Sequence, residues 1–212
     1  MDDAVTDVPR NSIAALRRFA RPRVVRERCD LCAAELGEDH AHLFEPATRQ
    51  VQCACEACAL LFDSPGGKYR RVPRTIEHWP DFQITDEQWG ALGVPIALAF
   101  FFFSTPKHQI VSMYPSPGGA TEASLPSEVW EILCMDNPPL AGLMPEVEAL
   151  LVNRLRGKRD YFRAPIDECF KLVGLIRTHW RGLSGGLKVW EEVEQFFDHL
   201  TARAGGGGAG HA

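Results

Sequence analysis

The chain has 212 residues, of which 45% are hydrophobic and 24% charged, and its formal net charge is −5. This composition is typical of a globular protein and excludes a disordered one. The acidic balance gives no overall sign of nucleic-acid binding, and the longest apolar stretch, which ends at Phe103, is too short to cross a membrane.

The first segment, residues 1–25, is predicted to be a flexible basic arm with one short helix. Seven Arg and one Glu lie between Arg10 and Arg28. Arg17 and Arg18 resemble a twin-arginine signal, but no apolar run follows them, so we expect a cytoplasmic protein. A solvated arm is the simplest interpretation of this charge, and a docking arm for an acidic partner is the alternative.

The second segment, residues 26–73, is predicted to be a small Cys-rich metal-binding ribbon of the zinc-ribbon or rubredoxin-like type; we call it the ribbon. It contains five of the seven cysteines of the chain. In a reducing compartment, such clustering indicates a metal or catalysis rather than disulfides. Residues 42–52 predict a β-hairpin, and residues 68–73 predict an edge strand.

Two Cys-x2-Cys pairs, each held by a loop and brought together by the hairpin, can gather four thiolates around one ion. The predicted ligands are Cys29, Cys32, Cys55 and Cys58. Cys53 is then a spare thiol or an alternative ligand in place of Cys55. A 2Fe–2S centre could also use four of these five thiols.

Two histidines, His40 and His42, add alternatives, because imidazole can replace a thiolate on zinc. The simpler interpretation is that both are hydrogen-bonded loop residues. The residues after each pair, Ala33 and Ala59, stand where rubredoxin-type loops usually have Gly, so zinc is favoured and iron is the alternative. Four protein ligands leave no open position, which indicates a structural site.

The third segment, residues 80–204, is predicted to be a larger α+β domain. A capping box at Thr85 and Gln88 predicts a helix start, and the chain is expected to end in a disordered Gly-rich tail, residues 205–212. The strands are predicted at residues 94–103, 108–114 and 160–163, with a loop at residues 115–121. The later helices are predicted around residues 129–134, 145–155, 165–180 and 189–200.

No nucleotide-binding or hydrolase motif is present in the sequence, so we expect a protein without enzymatic activity. Arg177 and Arg181 have helical i, i+4 spacing and can bind an acidic group of a partner. The simpler interpretation is a helix end whose cations favour the helix dipole. Cys134 and Cys169 are predicted to be core residues.

Several stretches together carry a family resemblance, among them CDLC, CACEACALLF, LGVPIALAFFFFS, YPSPGGATE and APIDECFKLVGLIRTHWRGLSGGLKVW. They resemble an uncharacterised, mostly actinobacterial family encoded beside the genes of high-affinity, oxygen-tolerant NiFe-hydrogenases. The resemblance implies an accessory role in hydrogenase assembly or maturation, with a hydrogenase subunit or a maturation factor as the protein partner. It supplies no catalytic residues.

Three functions remain open from the sequence. The first is an assembly or interaction factor with structural zinc. The second is a redox protein that uses iron or thiol exchange at Cys53 and Cys55. The third is a zinc-ribbon nucleic-acid binder, which the basic arm permits but the net charge of −5 opposes.

Overall fold

The computed structural model describes residues 27–206 and confirms the predicted α+β class. The predicted basic arm, residues 1–25, lies outside the described residues, as do residues 207–212 of the predicted tail. The first two residues of that tail continue the last helix to Gly206.

The ribbon contains a small antiparallel sheet in the order β2-β1-β3 and one short helix. Its elements are β1 (Ala41–Glu45), β2 (Gln50–Ala54), α1 (Glu56–Phe62) and β3 (Arg70–Arg71). Strands β1 and β2 confirm the predicted hairpin, and β3 confirms the predicted edge strand.

The rest of the described chain forms a six-stranded antiparallel sheet in the order β4-β9-β8-β5-β6-β7. The strands are β4 (Glu77–His78), β5 (Leu98–Ser104), β6 (Gln109–Ser116), β7 (Gly119–Ala123), β8 (Glu148–Asn153) and β9 (Asp160–Pro165). Its helices are α2 (Asp86–Ala91), α3 (Ser127–Asp136), α4 (Ile166–His179) and α5 (Gly186–Gly206). Short 3-10 helices occupy Pro138–Gly142 and Leu155–Gly157.

Both faces of the larger sheet are covered. On β5, Phe100 and Phe102 contribute to a core shared with α4 and α5, whereas Ala99 and Phe101 contribute to a core shared with α3. Alternate residues of a strand point to opposite faces, so a strand between two cores is apolar throughout. This explains the continuous apolar run that predicted a buried strand there.

The predicted capping box is confirmed at the start of α2. The Thr85 hydroxyl accepts a hydrogen bond from the Gln88 backbone, and the Gln88 side chain accepts one from the Thr85 backbone. The predicted end of α3 at Asn137 is also confirmed.

The helix predicted for residues 145–155 is wrong, because most of this segment is strand β8. The starting Pro and the Glu, Ala and Leu residues favour a helix. However, β8 lies between β5 and β9 in the sheet, and every one of its residues is buried. The two cores on either side therefore override the local helix propensity.

The loop predicted for residues 115–121 is also wrong over most of its length. Strand β6 continues to Ser116, which pairs with Gly119 at the start of β7. Gly119 has a φ of 124°, a region that favours glycine. The Ser116 hydroxyl donates to the Gly119 carbonyl oxygen at 2.9 Å, so the Gly-rich sequence forms the tight turn of a hairpin.

The ribbon packs directly on the larger sheet. Phe44 of β1 and Val72, which follows β3, belong to the same core as α4 and α5. The Phe44 ring stacks on Phe170 and meets Phe102 edge to face. The division of the chain at residues 74–80 stays a prediction, although the ribbon and the larger domain share apolar core residues.

Candidate metal centre

The first cysteine pair lies on a tight turn before β1. The Cys29 backbone N–H donates to the Ala34 carbonyl oxygen, and the Ala33 N–H donates to the Cys29 carbonyl oxygen, each at 2.8 Å. Ala33 has a φ of 60°, which is the left-handed conformation that glycine adopts without steric cost. The turn that a Gly after the second cysteine would favour is therefore formed here with Ala.

The second cysteine pair begins a helix and is not held by a loop as predicted. Cys55 is the N-cap residue of α1, and its sulfur accepts a hydrogen bond from the Cys58 backbone N–H at 3.5 Å. Cys58 lies in the first turn of α1. The two pairs therefore present their sulfurs from a loop and from a helix start, with the hairpin between them.

These two elements bring four sulfur atoms together. The Sγ atoms of Cys29, Cys32, Cys55 and Cys58 all lie within 4.8 Å of one another. None of the seven cysteines forms a disulfide, and the Cys32–Cys55 distance of 3.7 Å is far longer than a sulfur–sulfur bond. We call this group the four-cysteine cluster; it can hold a metal ion.

The cluster is half enclosed by a small apolar core. Cys29 and Cys58 are buried with Leu43, Ala54 and Ala59, while Cys32 is exposed. Because one side of the cluster meets solvent, an ion can enter without opening the fold.

Two thiols of the cluster, Cys29 and Cys58, differ in their pKa. Burial raises the pKa of Cys29, but hydrogen bonds from the backbone of Cys55, Leu31 and Cys32 outweigh it and lower the pKa to about 6. Burial, together with the sulfurs of Cys55, Cys32 and Cys29, raises the pKa of Cys58 to about 12. Without a metal, the cluster thus favours the thiolate of Cys29 and opposes the ionisation of Cys58. A bound cation would offset the repulsion between several thiolates and favour their ionisation.

Cys53 is not among the four clustered cysteines. Its neighbour Ala54 is buried in the apolar core beside the cluster, and successive residues of a strand point to opposite faces. In the hairpin register, Cys53 lies directly opposite His42. The Cys53 sulfur and one ring nitrogen each of His40 and His42 all lie within 4.8 Å of one another.

The surroundings of Cys53 do not activate its thiol. Burial raises the pKa of Cys53 first of all, and the nearby charges of Asp30 and Glu27 raise it further. A reactive thiol needs a pKa below its ordinary value. This direction opposes thiol exchange at Cys53 in the metal-free protein.

Outside the ribbon, the two arginines proposed for partner binding do not share a helix. Helix α4 ends at His179, so Arg177 lies in its last turn and Arg181 beyond it. The Arg181 guanidinium donates to the carbonyl oxygens of Thr178 and Trp180. A role of either arginine in partner binding stays a prediction.

The two remaining cysteines also lie away from the four-cysteine cluster. Cys169 is fully buried in the core under α4, and Cys134 is partly buried against the core under α3. Both positions fit the predicted core role.

The fold and the cluster define an α+β protein with a four-cysteine site that can hold a metal ion. Among residues 27–206, no helix combines the length and the apolar character that a membrane span requires. The model of a family described as "Family of unknown function (DUF5947)" matches residues 28–204. The chain belongs to this family. No curated protein and no solved structure matched the chain.

Proposed function

We propose that the protein is a metal-binding accessory protein without catalytic activity, and that the four-cysteine cluster holds a structural zinc ion. The distance between the sulfurs of Cys32 and Cys55, 3.7 Å, carries the proposal. Four thiolates bound tetrahedrally to zinc at about 2.3 Å lie about 3.8 Å apart. The two chain segments therefore already stand at the spacing that one ion requires.

The small size of the apolar core beside the cluster supports a structural role. It contains Leu43 with alanines and cysteines, and no larger side chain is fully buried in it. Such a core contributes little hydrophobic stabilisation on its own. A bound zinc ion would supply folding free energy directly, because its four ligands come together only in the folded state.

Exposed apolar side chains next to the cluster support a docking role. Leu60, Leu61 and Phe62 follow Cys58 on α1, and all three are exposed to solvent. Contiguous exposed apolar residues often mark protein–protein contact sites. We propose that this end of α1 binds a protein partner, together with the basic arm.

The family resemblance suggests which partner this end of α1 binds. We propose a NiFe-hydrogenase subunit or a maturation factor of such an enzyme, in the cytoplasm. The resemblance alone supports this part of the proposal.

Iron is the second candidate for the bound metal. The exposure of Cys32 favours it, since a ligand that meets solvent offers a short path for electrons to a partner. In that case the protein would be a rubredoxin-like redox factor for the same maturation process.

Metal analysis of protein purified without oxygen tests the structural role. We expect about one zinc per chain that resists a mild chelator, and no visible colour. We also expect the Cys58→Ser variant to lose this zinc and the fold of the ribbon, whereas the Cys134→Ser variant keeps both. Iron with thiolate charge-transfer bands would contradict structural zinc and support the redox role. A Cys58→Ser variant with unchanged metal content and fold would contradict both the zinc and the iron proposals.

Copurification from the native host tests the docking role. Leu61 is 75% exposed, and Met135, on helix α3 of the larger domain, is 72% exposed, so Leu61→Glu and Met135→Glu are matched surface changes. We expect only Leu61→Glu to lose a copurifying hydrogenase subunit or maturation factor, with its zinc retained. Equal retention of that partner by both variants would contradict docking through α1, and its absence from the wild-type preparation would contradict the proposed partner.

A further inference from the structure

Three side chains on the other face of the hairpin form a second group of metal-binding atoms. We propose that His40, His42 and Cys53 bind a second divalent metal ion of the zinc type, with one coordination position left open. The sulfur and one nitrogen of each ring already lie within 4.8 Å of one another. The proposal does not depend on the metal or the function of the four-cysteine cluster.

Each of the two histidine rings is held by a hydrogen bond from its own Nδ1 atom. Nδ1 of His40 donates to the Gly37 carbonyl oxygen at 2.9 Å, and Nδ1 of His42 donates to the Asp167 carboxylate at 2.6 Å. A metal-binding histidine usually donates its other ring N–H to a carbonyl or a carboxylate in this way. These bonds fix the tautomer of each ring and leave its Nε2 lone pair available to a metal.

The Nε2 atom of His40 has no hydrogen-bond partner within the described chain. It is buried, and the side chain of His40 is only 9% exposed. A buried polar atom without a partner costs free energy, and the unpaired lone pair of an imidazole nitrogen can bind a metal ion. A metal ion between the two rings and the Cys53 sulfur would satisfy it.

The backbone also fixes the thiol side of the site. The Cys53 N–H donates to the Asp30 carboxylate at 2.6 Å, and the Asp30 N–H donates to the Cys53 carbonyl oxygen at 2.8 Å. The register of β1 and β2 places Cys53 opposite His42. Two of the three ligands, His42 and Cys53, therefore lie on two strands that pair with each other. Paired strands position metal ligands more precisely than a loop does.

A polar cavity of about 470 Å³ adjoins the two histidines. Its walls come from the ribbon and from α4 and α5, and its charged side chains include Arg74, Asp167, Lys171 and Arg203. Arg74 is paired with Asp39, and Arg203 is paired with Glu168. There is thus room beside the histidines for water or a small ligand as the fourth ligand of the metal.

The donor set determines the class of metal. Two imidazoles and one thiolate suit Zn²⁺ and neighbouring transition metals, and they do not suit Ca²⁺ or Mg²⁺. Zinc sites with three protein ligands keep a fourth position for water or substrate, unlike closed structural sites. The ribbon would then hold a closed site on one face of its hairpin and an open, exchangeable site on the other.

Zinc binding to purified full-length protein tests this proposal. After equilibration with Zn²⁺ we expect about two zinc ions per chain, one of them removed by a mild chelator. The variants Cys53→Ser and His42→Ala should each lose only the removable ion. Their retained tight zinc and an unchanged circular dichroism spectrum would show that both variants are folded.

Two further variants make the result specific. Cys134→Ser is the control for loss of a thiol outside both sites and should bind as the wild type does. Asp167→Asn should weaken the removable zinc by about 10- to 100-fold, since Asp167 positions His42 and does not touch the metal. It should leave the tight zinc unchanged.

Co²⁺ supplies an independent readout of the ligands. We expect Co²⁺ at the removable site to give a thiolate-to-metal absorption band that is present in the wild type and absent in Cys53→Ser. Equal zinc binding by the wild type, Cys53→Ser and His42→Ala would overturn the second site. If these two substitutions affected only the tight zinc, the second site would also be overturned. If they removed only the removable zinc, the second site would be supported, even if the four-cysteine cluster proved to hold iron.

Discussion

Nδ1 of His42 lies 2.6 Å from Oδ2 of Asp167, and this contact joins the hairpin of the ribbon to the first turn of α4. The two residues are 125 positions apart in the chain, and both side chains are mostly buried. The other carboxylate oxygen of Asp167 accepts from the Glu168 backbone N–H at 2.8 Å. Asp167 therefore binds a backbone N–H in the first turn of its own helix and holds the ribbon with the same carboxylate.

The coupling between these two residues can be measured by a double-mutant cycle. We expect His42→Ala and Asp167→Ala to interact by about 1 kcal/mol in the free energy of unfolding, because a hydrogen bond to a carboxylate is lost only once. Urea denaturation of the four proteins without added metal gives this value. The hydrogen bond between Asp167 and the Glu168 backbone is lost in both Asp167→Ala proteins, so its contribution cancels in the cycle. Strict additivity of the two substitutions would show that the His42–Asp167 contact is not formed in solution.

A second contact between the ribbon and the larger sheet predicts a pH dependence. Glu122 on β7 accepts from Lys107 at 2.7 Å and from Arg49, which precedes β2, at 3.0 Å. Burial raises the pKa of Glu122, but the hydrogen bonds from Lys107 and Arg49 outweigh it and hold the pKa below its ordinary value of 4.5. The folded protein thus favours the ionised carboxylate more than the unfolded chain does.

The sign of the effect follows from this shift. Stabilisation by a carboxylate with a lowered pKa is complete above the unfolded-state pKa and is lost as the pH falls through the folded-state pKa. We expect Glu122→Gln to lower the free energy of unfolding at about pH 7 and to have a shrinking effect below about pH 4.5. Urea unfolding over this range measures it, with the exposed Glu191→Gln as control; a difference that stays constant with pH would contradict the assignment.

Strand β8 contains the buried carboxylate of Glu148, and the stability of the protein should depend on the cation that pairs with it, Arg163. Glu148 accepts from the Arg163 guanidinium at 2.7 Å and from the Met144 backbone N–H at 2.8 Å, and its side chain is 2% exposed. Arg163→Met removes the compensating cation and should lower the free energy of unfolding by about 3 kcal/mol. Thermal or urea unfolding measures the loss.

The matched variant for this pair removes both charges. Glu148→Leu combined with Arg163→Met leaves no isolated buried charge and should recover most of the lost stability. If the double variant were less stable than the single Arg163→Met variant, the unpaired carboxylate would not be the cause of the loss.

The cysteines should differ in their reaction with an alkylating reagent after metal removal. The Ala34 backbone lowers the pKa of Cys32, but the sulfurs of Cys29 and Cys55 outweigh it and raise the pKa. Because Cys32 is exposed, access rather than ionisation should make it react before Cys169. Cys169 is fully buried, and burial together with Asp167 and Glu168 raises its pKa well above 9.0, so it should stay unmodified until the protein unfolds. Mass spectrometry of the peptides measures both, with the denatured protein as the reference.

The metal-bound protein provides the comparison for this experiment. A metal in the four-cysteine cluster should protect Cys32 in spite of its exposure, because the thiolate is then a ligand. Equal modification of Cys32 with and without metal would exclude it from the ligand set.

The regular elements were largely predictable from local signals. The capping box at Thr85 and the amphipathic pattern of α5 each appear as predicted, because the side chains that cause them are close in sequence. Strand β8 was not predictable in this way. Its apolar run also fits a buried helix, and only its place between β5 and β9 decides the conformation.

The candidate site shows the same limit. The four-cysteine cluster follows from its spacing, whereas the group of His40, His42 and Cys53 depends on which residues face each other across the hairpin. The predicted hairpin held a usable signal, since strands that turn near residues 46–49 place residue 42 opposite residue 53. Without the Asp167 contact from α4, however, no local pattern distinguishes a metal-binding His42 from an ordinary strand residue.

The alternation of faces along β2 has a consequence for how the stretch QCACEAC can vary. A substitution changes one side chain, but a one-residue deletion within β2 would reverse which residues face the apolar core of the ribbon and which face α4. Cys53 and Ala54 would exchange faces, and His42 would lose its opposite thiol. The length of β2 before Cys55 should therefore tolerate less variation than the identity of most residues in it.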